Sequence, residues 1–443
     1  MHADDQDGTW AAPVAAGPLD ARIWLPASKS ITNRALVLAA LSDGPALIAN
    51  PLRARDTLLA VAALRALGTD VSDSPQAWRV TAGQPPAGSR VRVDVGNAGT
   101  VMRFLPAVAA LTSATVHFDG DERIRQRPVG PILAALRELG TRIEDDRGAA
   151  PFTVLGQGGV RGGAVTLDAS GSSQLVSGLL LAAPRFETGI EIRHHGPPIP
   201  SAPHIAMTVR MLRAAGADVT ETRSGAAGGP SRPDGWRVRP GRLDLGSVTV
   251  EPDLSNAGPF LAAALVTGGT LGLPGWPQDS LQAAGPILDV LTRMGARCDV
   301  GAEGLTVSGT GTVRGITADL RDVAELAPVL TAAAALADGP STFTGLAHTR
   351  RHETDRLAAL AKEINALGGD ITELPDGLQV RPRPLRAGRG DGPFGTYDDH
   401  RMVMAAAVLG LVVPGLRVAD AQTVAKTFPQ FTDVWADMLG PGR

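Results

Sequence analysis

Cysteine is almost absent from this chain: Cys298 is the only one in 443 residues. No disulfide can therefore form within it, and a cysteine-based zinc site is excluded. Aromatic residues make up only 4%. No basic stripe interleaved with aromatics occurs, which argues against nucleic acid as a partner. No run approaches 18 apolar residues free of Gly, Pro and charge, so no membrane span is expected. Residues Met1 to Pro13 are acidic and carry no apolar run of signal-peptide type, and a cytoplasmic location is the default expectation. Lysine is scarce too. Lys and Arg total 42, yet only Lys29, Lys362 and Lys426 are lysines. Arginine stands wherever a generic positive charge suffices. The surviving lysines are candidates for places where a compact ammonium fits and a guanidinium fork does not.

What is present describes a globular α/β protein. Hydrophobic residues reach 44%, and net charge is only −3. The 53 glycines and 34 prolines are spread between apolar segments. The length suggests about three domains of ~150 residues, or two large ones.

The chain also repeats itself. A helix-like segment ending in glycine, then a short strand, recurs with its glycine at 68, 140, 216, 295, 368 and 440. Each glycine fits the position after a helix, where a positive φ is needed. Most copies continue into a second strand, as at Trp78–Val80, Phe152–Val154, Trp236–Val238, Leu305–Val307 and Leu378–Val380. At the same period, a strand leads through a polar turn into an Ala-rich helix. The strands are Val91–Val95, Ala164–Leu167, Val248–Val250, Ile316–Ala318 and Gly395–Tyr397, and the first copy of the feature is Leu25–Ser30. Helices such as Val101–Leu111 and Leu326–Ala337 are apolar nearly all round and should be buried. The Gly/Pro/Ser/Arg-rich stretch Thr222–Arg242 lies near the midpoint. It reads as a crossing between two domains of three repeats each, or as a long hairpin loop.

Polar turns at helix starts have a chemical consequence. The first N–H groups of a helix lack partners and its dipole is positive there, so anions are attracted. A capping role suffices for Asp253 and Ser255. It does not account for Lys29, Arg34, Arg103, Arg127, Arg356 and Arg401 in or near these turns, because cations are unfavourable there unless an anion joins them. If several such ends meet, the place is an anion trap. His352-Glu353-Thr354-Asp355-Arg356 and Asp398-Asp399-His400-Arg401 each bring base, acid and guanidinium together. Neither an intact GxGxxG nor a GxxxxGK[ST] occurs, and GxSxG is absent. His348 and His352, four apart, could share a helix face as metal ligands, the basis of a metal-dependent hydrolase reading.

These segments resemble the 5-enolpyruvylshikimate-3-phosphate (EPSP) synthase family, the 3-phosphoshikimate 1-carboxyvinyltransferases. The matching stretches are Ser28–Arg34, Asn97–Arg103, Arg127–Gly130, Gly171–Gln174, Ser201–Met207, Glu353–Arg356, Asp399–Met402 and Lys426–Pro429. The resemblance implies a two-domain α/β enolpyruvyl transferase fold, an inside-out α/β barrel of six βαβαββ repeats, three per domain. One domain would comprise 1–28 and 249–443 and the other 29–248, with the active site in the cleft between them. The implied reaction moves the enolpyruvyl group of phosphoenolpyruvate to the 5-hydroxyl of 3-phosphoshikimate through a tetrahedral ketal. It uses no metal and no cofactor, and a monomer acting on small molecules is expected.

By resemblance, Lys29, Gly99, Arg127, Gln174, Arg356, Arg401 and Lys426 would hold phosphoenolpyruvate. Lys29, Ser30, Arg34, Ser172, Ser173, Gln174, Ser201, Glu325, His348 and His352 would hold 3-phosphoshikimate. Glu325 would take the hydroxyl proton, and Glu353 would act as acid and then base, with Lys29 and His352 assisting. The sequence departs from the family's commonest pattern at Glu325 for aspartate, His352 for lysine, His348 for asparagine, His204 for tyrosine and Phe104 for proline. His352, with an ordinary pKa of ~6.5, is expected to be kept charged by substrate phosphate. Gly99 should leave room for glyphosate, the family's inhibitor. Two rivals remain besides the hydrolase. A transferase acting on UDP-N-acetylglucosamine usually carries a loop cysteine in its first half, and Cys298 lies in the second. A non-catalytic anion-binding scaffold would be weakened by Glu325 and Glu353.

Overall fold

The computed structural model describes residues 8–223, 232–390 and 392–440. It divides into two compact units, a discontinuous one of Met1–Pro26 with Glu251–Arg443 and a continuous one of Ala27–Val250. The chain changes units just after Val250, whose N–H still bonds Ala49 O at 3.0 Å. The crossing expected in Thr222–Arg242 is not there. That stretch is a hairpin of the continuous unit, because Val219–Thr222 and Gly235–Val238 pair antiparallel. Its residues 224–231, like residues 1–7 of the acidic start, lie outside the described residues.

The βαβαββ pattern is plainest in the middle of the continuous unit. Arg90–Asp94 runs parallel to Thr115–Asp119, joined through the helix Gly99–Ala110. The helix Gly130–Glu138 then leads into Arg142–Asp145 and Phe152–Leu155, which extend the sheet antiparallel. Among the described residues there are five such four-stranded sheets and one two-stranded remnant. Two leading strands come from beside the crossings: Ser247–Thr249 pairs with Ala46–Ala49, and Asp20–Arg22 with Thr270–Pro274. The remnant joins Thr9–Ala11 to Arg417–Ala419. The expected strand Gly395–Tyr397 does not form, and only Phe394 bridges Val418. Tyr397 and Asp398 have φ of 54° and 56°, which no extended strand can contain. The six repeat glycines all have positive φ, between 77° and 108°.

Each unit is centred on three helices that pack on one another, with the sheets outside them. In the continuous unit these are Lys29–Ala40, Gly99–Ala110 and Gln174–Ala182. In the discontinuous unit they are Gly258–Thr267, Ala327–Ala334 and His400–Gly410. Every residue of Gly99–Ala110 is buried, as is every residue of His400–Gly410. Burial of one Leu or Ile side chain is worth ~1.5–3 kcal/mol, which offsets the weak helix preference of the glycines and prolines placed here. Gly178 sets one helix spacing, since a Cβ there would lie 2.2 Å from Arg103 O. No sheet closes on itself among the described residues. No helix among them is long and apolar enough to cross a membrane.

Candidate active site

In the continuous unit the starts of the three central helices are tied together by side chains. Asn33 Nδ2 donates to Thr100 Oγ1 at 2.7 Å. Arg103 Nη1 donates to Gln174 Oε1 at 2.9 Å, and its Nε and Nη2 to Pro128 O. Arg127 Nη1 donates to Asn97 O and Oδ1 at 2.9 and 3.1 Å. Both guanidiniums press on Gly99, where a Cβ would stand 2.6 Å from Arg127 Nη2 and 2.8 Å from Arg103 Nη1. A Cβ here would have to displace the end of one guanidinium or both.

Lys29 opens the first of these helices, behind the capping hydroxyl of Ser28. Its ammonium donates to Asp56 Oδ2 at 3.2 Å. Ser30 follows on the same turn. Ser172 Oγ accepts from Gln174 N at 3.2 Å, and Ser173 is buried beside it. Ser201 caps the helix Ala202–Ala214 at φ 51°, a left-handed backbone that costs a non-glycine residue energy and clusters at functional sites.

Arg34 lies deeper than an anion-binding surface residue would. Its side chain is fully buried. Nε donates to Thr208 Oγ1 at 2.7 Å, Nη1 to Ser30 O at 3.0 Å, and Nη2 to Ser177 Oγ and His204 O. Its guanidinium carbon stands 5.2 Å from the Phe104 ring centre. Burial lowers its pKa to about 9. Arg34 thus packs behind the first turn of its helix, with one hydrogen bond to the Ser30 backbone.

In the discontinuous unit the centre is Arg356, at the start of the helix Arg356–Ala366 and 1% exposed. Nε donates to Asp399 Oδ2 at 2.7 Å, Nη2 to Glu353 Oε2 at 3.1 Å, and Nη1 to Glu325 Oε2 at 3.3 Å. Arg401 donates from Nη1 to Ser255 O and from Nη2 to Ser255 Oγ, both at 2.7 Å, and its Nε is 3.8 Å from Glu325 Oε2. Lys426 Nζ donates to Glu353 Oε1 at 2.5 Å. Asn256 Nδ2 reaches Thr427 O at 3.3 Å, which ties the lysine's segment to the Ser255 turn. Ser255 therefore does more than cap its turn.

Formal charges of Glu325, Glu353, Asp399, Arg356, Arg401 and Lys426 sum to zero. An incoming anion must take over donors already held by carboxylates, and it is helped by the adjoining helix starts. The Glu325 side chain is 31% exposed. Its burial alone would raise its pKa, but Arg356 and Arg401 hold the carboxyl well below its usual range. Glu325 is therefore ionised at neutral pH.

His352 departs from an ordinary imidazole. Its Nδ1 is 3.1 Å from Arg356 Nη1, and a guanidinium has no lone pair to offer. Nδ1 must accept, so the ring is neutral and carries its proton on Nε2. Burial, then Arg356, push its pKa well below 6.5. His348, whose ring centre is 5.4 Å away, is lowered to about 4, chiefly by burial. The two histidines lie together, but no group of three or more His, Cys, Asp or Glu able to hold a metal occurs among the described residues.

Sequence reading missed Asp56 and Ser255 as partners of Lys29 and Arg401. Asp56 lies in the Arg55–Ala66 helix, outside every motif. Ser255 sits at repeat phase beside Asn256, and that was its only signal.

The family model described as EPSP synthase (3-phosphoshikimate 1-carboxyvinyltransferase) matches residues 14–435. A 3-phosphoshikimate 1-carboxyvinyltransferase of Kocuria rhizophila is 49% identical over 98% of this chain and 97% of its own. An EPSP synthase structure from Acinetobacter baumannii superposes with a TM-score of 0.76 at 25% identity, covering 97% of each chain. The enolpyruvyl transferase NikO of Streptomyces tendae shares the fold, with a TM-score of 0.71 at 19% identity over 96% of each chain.

Proposed function

The chain belongs to the EPSP synthase family, and from that premise we propose how its two charged clusters divide the family's reaction. The enzyme transfers the enolpyruvyl (carboxyvinyl) group of phosphoenolpyruvate to the 5-hydroxyl of 3-phosphoshikimate, a step of the shikimate pathway, and releases phosphate. The observation that carries the division of roles is that Arg356 bonds both Glu325 and Glu353, and Glu353 also accepts from Lys426.

Glu325 takes the proton of the 5-hydroxyl as its oxygen attacks C2 of phosphoenolpyruvate. Glu353 delivers a proton to the C3 methylene, and the double bond becomes a C–H bond. Lys426, 2.5 Å from Glu353, offers a route for supplying that proton. The product of this step is a tetrahedral ketal that still carries phosphate. Glu353 then removes a proton from the new methyl group, the C–O bond to phosphate breaks, and the double bond re-forms.

Arg356, Arg401 and Lys426, with Gly99, Arg127 and Gln174, hold phosphoenolpyruvate; guanidinium forks suit its carboxylate and phosphate. Lys29 contacts both substrates. Ser30, Ser172, Ser173, Gln174, Ser201, Glu325, His348 and His352 hold 3-phosphoshikimate, with Arg34 supporting Ser30 from behind. His352 contributes its neutral Nε2–H as a donor. The substrates are small molecules, and the enzyme works as a cytoplasmic monomer without metal or cofactor. The test is phosphate release from phosphoenolpyruvate in excess EDTA. Release is expected with 3-phosphoshikimate and not with UDP-N-acetylglucosamine. Dependence on metal, or on the sugar nucleotide, would overturn the proposal.

A further inference from the structure

The helix Arg356–Ala366 grips the loop before the His400–Gly410 helix at two points. At its first residue, Arg356 holds Asp399. Two turns later Glu363, 8% exposed, holds the same loop further back. Its Oε2 accepts from Gly395 N at 2.9 Å, and its Oε1 from the hydroxyl of Tyr397, the chain's only tyrosine. Lys362, next to Glu363, places Nζ 5.4 Å from the Tyr397 ring centre, within cation–π range. Burial and then Glu363 push the Tyr397 hydroxyl above its usual pKa, so it stays a donor at neutral pH.

Between the two grips lies the backbone feature that needs them. Tyr397 and Asp398 have φ of 54° and 56°, left-handed values that are costly for residues with a Cβ. Two in succession persist only where their surroundings hold them. Immediately after them, Asp399 Oδ1 accepts from Arg401 N at 2.9 Å and the same carboxylate bonds Arg356. The direction in which the loop enters the helix thus sets the carboxylate that holds the Arg356 guanidinium and the backbone from which the Arg401 side chain leaves.

We propose that Lys362, Glu363 and Tyr397 form a clasp that positions Arg356 and Arg401 on phosphoenolpyruvate by holding the Tyr397–Asp398 turn left-handed. This rests on the reading that those two arginines bind phosphoenolpyruvate. The three clasp residues touch no substrate and are positioning residues.

Tyr397→Phe keeps the ring under Lys362 and removes the hydroxyl. Loss of one hydrogen bond to a charged acceptor is expected to raise the KM for phosphoenolpyruvate about tenfold, with kcat and the KM for 3-phosphoshikimate nearly unchanged. Adding Asp398→Gly, which accepts a positive φ freely, is expected to restore most of the loss. Arg401→Lys, measured alongside, tests the underlying reading. If it raises that KM while folded Tyr397→Phe does not, or if Tyr397→Phe raises both KM values equally, the clasp is overturned and the reading stands. If Arg401→Lys leaves the KM for phosphoenolpyruvate unchanged, the reading fails and the clasp with it. Glu363→Gln, which keeps one acceptor oxygen, carries the same comparison should Tyr397→Phe not fold.

Discussion

His352 Nδ1 accepts a hydrogen bond from Arg356 Nη1 at 3.1 Å. That contact sets the charge of the residue that replaces the family's common lysine. A protonated imidazole would point N–H at N–H and add a third cation beside Arg356 and Arg401. Nitrogen-15 NMR of the histidine rings is expected to show His352 as the neutral Nε2–H tautomer throughout the neutral range. His352→Gln can also accept and donate, so its pH–rate profile should parallel the parent's between pH ~6 and ~8. Loss of a limb in that window on substitution would show that the parent's histidine titrates there.

His348 should make stability pH-dependent. Its pKa falls from 6.5 in the unfolded chain to about 4 in the fold. Between those values the unfolded chain binds more protons, so the folded state weakens as pH falls through that window and gains nothing above it. His348→Gln, which keeps a neutral polar side chain, should show a flatter Tm between pH 6.5 and 4. Parallel Tm curves would contradict the assignment.

Gly99→Ala is expected to displace Arg127 and Arg103, whose nitrogens would stand 2.6 and 2.8 Å from the new Cβ. Both guanidiniums are buried and already engaged, so neither can swing away freely. The KM for phosphoenolpyruvate should rise by about tenfold or more, and the inhibition constant of glyphosate further, while the KM for 3-phosphoshikimate holds. An unchanged phosphoenolpyruvate KM would remove Arg127 from that site.

Gly178→Ala should destabilise the continuous unit. The Cβ would meet Arg103 O at 2.2 Å, and forcing two packed helices apart costs about 1–3 kcal/mol. Because Arg103 and Gln174 sit on those helices, phosphoenolpyruvate affinity should fall with it. Denaturant unfolding and substrate titration would show both effects, or their absence.

Much of the architecture could be read from the chain because it is repeated. A glycine after each outer helix and an all-apolar central helix are local requirements, and each copy states them again. The sixth sheet escaped, because Gly395–Tyr397 has strand-like spacing while its left-handed backbone depends on Glu363, some thirty residues away. The long hairpin at Thr222–Arg242 resembled a linker because both are rich in Gly, Pro and Ser. In the two candidate clusters, Lys29, Arg127, Arg356, Arg401 and Lys426 stand out in the sequence through repeat phase, lysine scarcity and family motifs. Their partners Asp56 and Ser255 do not, since a hydrogen bond across tens or hundreds of residues leaves no local pattern. The surroundings of His352 were not legible for the same reason: residue type gives an ordinary pKa, and only burial and the Arg356 contact show which way the protein moves it. Lys362 lies outside every matching stretch and is exposed, yet its ammonium lies over the only tyrosine.

The central claim is a stepwise addition and elimination in which Glu325 and Glu353 divide the proton transfers. A single turnover tests it most directly, with enzyme in excess over phosphoenolpyruvate labelled with carbon-13 at C2, in the presence of 3-phosphoshikimate and EDTA. Rapid quenching should trap a transient saturated ketal carbon that decays into the enol ether product as phosphate appears, and Glu353→Gln should slow both its formation and its decay. Product forming with no ketal, or a ketal whose rise and decay ignore the Glu353 substitution, would contradict the account.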